Sequence, residues 1–145
     1  MIYTEQTCMA LKLAFEAHKD QVDKVGIPYV FHPFHIAEQM TDEATITVAL
    51  LHDVVEDTDY TIEDLSNMGF APEVVEAVAL LTHDPAVPYE EYLIPIKANP
   101  IARAVKLGDL AHNSDPTRLR KEEITPRMLE RWEKYKKAMD FLTSP

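Results

Sequence analysis

A single cysteine, Cys8, can form no internal disulfide, so the fold must stand on its core alone and suits a reducing compartment. No apolar run approaches the ~18 residues of a membrane span, and the opening MIYTEQTCMALK lacks a basic segment followed by an apolar stretch. A cytoplasmic protein is expected. Cations are also scarce: Lys+Arg 14 against Asp+Glu 25 leaves a formal net charge of −11, which repels duplex DNA, duplex RNA and anionic lipid. Only three glycines occur, and no segment alternates apolar and polar residues as a half-buried strand would. These absences leave helices separated by the 10 prolines.

The 145 residues, with a hydrophobic fraction of 46%, suffice for one domain spanning 1–145 with a buried core. An all-α, compact multi-helix fold is expected. Thr4 is placed to cap a first helix ending near His18. Gln21 to Pro33, with Gly26, Pro28 and Pro33, reads as an ordered loop that delivers His32 to a second helix over Phe34 to Met40. Asp42 caps a third, whose run Ile46 to Leu51 is apolar almost all round and therefore central. Further helices are expected from Thr61 to before Gly69, from Pro72 to about Thr82, from Tyr89 to Ala98, from Pro100 through Asn113, and from about Thr125 to Leu142. Pro95 should kink or shorten its helix.

The central helix ends in His52-Asp53-Val-Val-Glu56-Asp57, and buried carboxylates are unfavourable unless paired or bound to a cation. An upstream His32 and a downstream Asp109 complete two imidazoles and two carboxylates on three segments. One divalent metal can take all four, and mixed N/O ligation without thiolate fits Mn²⁺, Fe²⁺ or Zn²⁺ with positions left for water and a phosphoryl oxygen. Glu56 and Asp57 then stand where they can orient that water or take its proton. The chemistry is that of a metal-dependent phosphohydrolase.

The words AHKDQVDKVGIPYVFHP, ALLHDVVEDT and VKLGDLAHN, across about residues 14–118, resemble the hydrolase domain of the RelA/SpoT alarmone enzymes, within the HD phosphohydrolase superfamily. The resemblance implies an HD-domain fold, with His32, His52, Asp53 and Asp109 as ligands of Mn²⁺ and Glu56 and Asp57 as the catalytic pair. It implies release of pyrophosphate from the 3′ position of guanosine tetra- or pentaphosphate (ppGpp), the alarmone of the stringent response. Lys24, Thr82, His83, Lys106 and Asn113 fall in the matched motifs as substrate contacts. Three positions depart from the pattern: Asp23 and Leu110 stand where relatives carry arginine, the first to stack on guanine, and His83 stands where they carry a phosphate-region lysine. Another phosphorylated nucleotide or metabolite therefore fits the same chemistry, and a non-catalytic nucleotide sensor or a purely structural helical domain are the other classes. Intact Glu56 and Asp57 weigh against the sensor.

Other residues have plainer readings. His18 closes the first helix, His35 sits on a polar helix face, and His112 is either exposed or behind the ligands. Arg103, Lys97 and Arg118 are further candidate phosphate contacts, and Tyr89 and Tyr92 candidate pocket walls. Trp132, Tyr135 and Met139 share a helix face suited to the core or to a homo-oligomer contact.

Overall fold

Nine α-helices carry the chain, described over residues 1–145 in a computed structural model: α1 (Glu5–His18), α2 (Phe31–Glu38), α3 (Glu43–Leu51), α4 (Val54–Asp57), α5 (Ile62–Asn67), α6 (Pro72–Leu81), α7 (Tyr89–Ala98), α8 (Pro100–Asn113) and α9 (Pro126–Thr143). Two 3₁₀ turns, Pro116–Arg118 and Lys121–Glu123, link the last pair. The extended backbone amounts to one isolated bridge, Val22 with Pro28. The all-α expectation is met.

Local chemistry sets the boundaries. The hydroxyl of Thr4 accepts from the Thr7 amide and the Asp42 carboxylate from that of Thr45, so α1 and α3 start where their caps satisfy orphan N–H groups. Thr61, Asn99 and Thr125 do the same for α5, α8 and α9. Gly69, with φ +95°, closes α5 in the left-handed conformation that an L side chain resists. Helix α7 continues three residues beyond Pro95. One expectation is corrected: the second helix begins at Phe31, so His32 lies in its first turn rather than in a preceding loop. Pro33 occupies that turn too, where its missing N–H removes no intrahelical bond.

Helix α3 packs against α1, α2, α6 and α8, which explains why a helix without a polar face is stable here. Ile46, Leu50 and Leu51 are almost wholly buried, each worth about 1.5–3 kcal/mol against exposure. All nine helices contribute to one core of 25 buried apolar residues. Around α3, the α2 and α8 axes bring His32 and Asp109 to its C-terminal end. That approach depends on Gly108: a Cβ there would sit 3.0 Å from Ile36 Cγ2 and 3.3 Å from Met40 Cε.

Ile36 is β-branched and fully buried, so it yields little. Gly108→Val should lower the unfolding free energy by about 1–3 kcal/mol, the scale of core overpacking. Gly108→Ala should fall near neutral, because about 1 kcal/mol of helix propensity offsets the milder crowding. Urea denaturation of the pair checks both. A valine variant as stable as wild type would mean that α2 and α8 have slack.

Candidate metal centre

The apolar run of α3 stops at His52, its C-cap, and Asp53 opens α4, so a break between helices turns both side chains towards His32 and Asp109. One ligand atom from each of the four lies within 4.8 Å of the others. His32 Nε2 is 2.9 Å from Asp109 Oδ1 and 3.8 Å from Asp53 Oδ2, while His52 Nε2 is 3.1 Å from Asp53 Oδ2 and 3.6 Å from Asp109 Oδ1. The Nδ1 of His52 lies 2.6 Å from the Ala49 carbonyl, which can only accept, so Nδ1 carries a proton and, in the neutral ring, Nε2 is left with the lone pair. His52 is 3% exposed, yet Nε2 has no hydrogen-bond partner; its neighbours are close but misaligned. A buried orphan nitrogen between two carboxylates is what a cation satisfies.

The electrostatics point the same way. Burial alone would pull the His52 imidazole down, but Asp53 and then Asp109 overcome it and hold its pKa well above the ordinary histidine value. Burial pushes Asp109 up, but Lys106, then His32 and His52, carry it well below the carboxylate range. Asp53 is likewise lowered, His52 outweighing burial. The cluster favours added positive charge at its centre. These residues fit a divalent ion with N/O ligands.

Each candidate ligand has a partner behind it. Tyr29 donates to Asp53 Oδ2 at 2.6 Å, Lys106 Nζ to Asp109 Oδ2 at 2.9 Å, and Asn113 Nδ2 to Asp109 Oδ1 at 3.0 Å. The Nδ1 of His32 meets Nδ1 of His112 at 2.7 Å. The His112 pKa is depressed to about 4, first by burial and then by Arg118, His32 and His35. Glu56 and Asp57 line the same 260 Å³ pocket as His52, Asp53, Lys106 and Asp109. The amide of His83 donates to Glu56 Oε1 at 2.7 Å, so the α6–α7 turn fixes that carboxylate. Burial and the neighbouring Asp53 and Glu56 push Asp57 up to about 6.

A second cavity of about 350 Å³ shares Tyr29, Asn113 and Tyr135 with the first. Its walls are the 22–25 turn, the 3₁₀ turn after α8 and the start of α9. Lys24, Arg118 and Arg131 place three cations here, against Asp23 and Asp115, on a chain of net charge −11. Trp132 belongs to this wall rather than to the core, whereas Tyr135 lines both cavities and, with Met139, packs against the core as the helix spacing allowed. The Trp132 indole donates to the Asn113 carbonyl at 3.0 Å, tying α9 to the end of α8.

The three departures also gain structural meaning. Asp23 Oδ1 accepts from the amides of Val25 and Ile27, closing a turn in which Gly26 takes φ +82°, and Oδ2 lies 3.5 Å from Arg118. Leu110 is 1% exposed in the core, so an arginine missing there removes nothing from the pocket wall. His83 Nε2 is 2.7 Å from the Val87 carbonyl and its ring lies 4.4 Å from that of Tyr92, which also lines the pocket. The Thr82 hydroxyl donates to Val78 O at 2.9 Å. Side chains 82 and 83 are thus engaged locally, while Lys24, Lys106 and Asn113 line the cavities. Tyr29, Arg131 and the wall role of Trp132 were missed; the tyrosine sits inside PYVFHP, and no sequence signal marks the other two.

The HD domain family model matches residues 10–90. The guanosine-3′,5′-bis(diphosphate) 3′-pyrophosphohydrolase of Homo sapiens is 35% identical over 121 residues, covering 74% of this chain and 67% of the human protein. The enzyme of the same description from Aquifex aeolicus is 31% identical over 123 residues, and there the chain spans 18% of the relative's length. A solved structure, described as a metazoan ortholog of SpoT that hydrolyzes ppGpp, superposes with a TM-score of 0.76 and 27% identity over 99% of this chain and 89% of that one. Family model, relatives and fold agree with one another, and the chain belongs to the HD domain family, among its RelA/SpoT-type hydrolases.

Proposed function

We propose that this protein hydrolyses guanosine 3′,5′-bis(diphosphate) to GDP and pyrophosphate, with Mn²⁺ held by His32, His52, Asp53 and Asp109. The observation that carries this reading is the orphaned Nε2 of His52 among two carboxylates and a second imidazole, beside two more acids and next to a cationic, aromatic cleft. The relatives named for this reaction support it.

An ion in this site supplies Lewis acidity to a phosphoryl oxygen and acidifies water. Glu56, held by the His83 amide, orients the attacking water and takes its proton; Asp57, whose carboxyl sits near neutrality, shares that proton. Water attacks the phosphorus bound to the ribose 3′ oxygen, the P–O bond to the sugar breaks, and the proton released by water ends on the leaving 3′ oxygen. Lys106 holds Asp109 with one N–H and has two left for phosphoryl oxygens. The nucleoside and its 5′ phosphates occupy the neighbouring cleft, between Lys24 and Asp23 on one side and Arg118, Arg131 and Trp132 on the other. Asn113 spans both cavities and positions substrate and Asp109 together.

Mn²⁺ at 100 times its Kd should stabilise the protein by about 2.7 kcal/mol, roughly 5–10 °C in melting temperature. His52→Ala should abolish that shift. Thermal melts with and without Mn²⁺ check it, and an undiminished shift in the variant removes His52 from the site.

Glu56→Gln keeps size and hydrogen bonding but not the anion. Mn²⁺ binding should persist while kcat for pyrophosphate release falls by about 10²–10⁴-fold. A variant turning over at the wild-type rate would take the water away from Glu56.

Arg131→Ala should raise KM for guanosine tetraphosphate several-fold to tens-fold with little change in kcat, the scale of a cation–π contact worth about 0.5–2 kcal/mol. Asp23→Arg should bring no gain, because it removes two main-chain hydrogen bonds and sets a second guanidinium beside Arg118. Steady-state kinetics of the two variants test where the cation belongs; improved kcat/KM in Asp23→Arg would place it on the turn.

A further inference from the structure

We infer that His112 is a positioning residue for the metal ligand His32, the acceptor that fixes its tautomer and ring orientation; this rests on the metal reading of the site above. The two nitrogens of His32 face different surroundings. Nε2 faces the carboxylates, 2.9 Å from Asp109 Oδ1, and must be unprotonated to ligate. The proton then belongs on Nδ1, which faces away from the cluster and meets a single polar atom, His112 Nδ1, at 2.7 Å. That atom accepts, so the proton of His112 lies on its own Nε2. The two rings are 13° from parallel with centroids 5.0 Å apart, the side-by-side placement of an in-plane N–H···N bond rather than a face-to-face stack.

His52 solves the same problem with a backbone carbonyl, which no substitution of residue 49 removes. His32 has no such carbonyl and depends on a side chain 80 residues away, on the last turn of α8. His35 closes the outer side of His112, ring to ring at 4.1 Å. The imidazole is therefore held between the ligand and a surface ring, and α2 and α8 are joined at the one point where ligand geometry is set.

Removal of such an outer partner lowers metal affinity by about 10–100-fold. His112→Phe keeps an aromatic ring against His35 but offers no acceptor; His112→Asn places its Oδ1 near the former Nδ1 and restores one. Mn²⁺ titration by calorimetry should show affinity reduced by about 10–100-fold in the Phe variant and close to wild type in the Asn variant. In wild-type protein uniformly labelled with ¹⁵N and loaded with Zn²⁺ as a diamagnetic probe, His32 should be protonated on Nδ1 and show scalar coupling across the hydrogen bond to His112 Nδ1. That measurement needs no variant to fold. Unchanged Mn²⁺ affinity in His112→Phe, equal losses in Phe and Asn, or absence of the coupling would each overturn the assignment. Failure of the wild-type protein to bind Mn²⁺ at all would instead overturn the metal reading on which it rests.

Discussion

Charge balance in a buried space is the constraint on which the rest of the structure depends. Asp53 and Asp109 bring two carboxylates within a few ångströms of each other at the end of the most buried helix, where water screens them far less than at the surface. Lys106 compensates one of them, and the raised pKa of His52 sets a proton against the other. A divalent cation would balance both carboxylates in place of that proton, and the surrounding structure keeps the four side chains together. The break between α3 and α4 turns His52 and Asp53 inwards, Gly108 lets α8 close on α2, and Tyr29 and Asn113 hold carboxylate oxygens that would otherwise rotate.

The cluster and the cleft beside it are built from different parts of the fold. The metal pocket is built on helix ends anchored in the core. The cleft is built on a turn, a 3₁₀ segment and one face of α9. In the cleft, an aspartate stands on the turn, and guanidinium groups face it from the opposite wall as Arg118 and Arg131. Asp23 is not idle there: it closes its own turn and holds Arg118. A substitution in the cleft can therefore leave the four clustered side chains where they are.

Most of the fold was legible from local chemistry. Thr4, Asp42, Thr61 and Thr125 cap the helices whose first turns they precede, because capping is decided within three residues. The start of α2 was not legible: Pro28 and Pro33 look like loop punctuation, and only the first-turn tolerance of proline lets the helix begin at Phe31. His52 and Asp53 stand out because packing alone gives an apolar helix no reason to end in histidine and aspartate, while His32 and Asp109 joined them through the order of the motifs and the family resemblance. The cleft does not stand out. Trp132 on an amphipathic helix has the same spacing whether it faces the core or a cavity, and the pairing of Asp23 with Arg118 joins residues 95 apart. Leu110 shows the opposite error, since a substitution that looks like the loss of a substrate contact lies in the core.

A difference between the two histidines shows how such a site can be tuned. A backbone carbonyl in the last turn of a buried helix is a rigid acceptor, so His52 is oriented by the fold itself. The partner of His32 is a half-buried side chain backed by another at the surface, so its alignment depends on how α2 and α8 lie against each other. Gly108 sits on the inner side of that same contact and His112 one turn further along α8. Packing at Gly108 and hydrogen bonding at His112 therefore act on one quantity, the distance between the His32 ring and Asp109. His52 is thus fixed by the backbone of α3, while the His32 side of the cluster is set where α2 and α8 meet, at Ile36 against Gly108 and at His32 against His112.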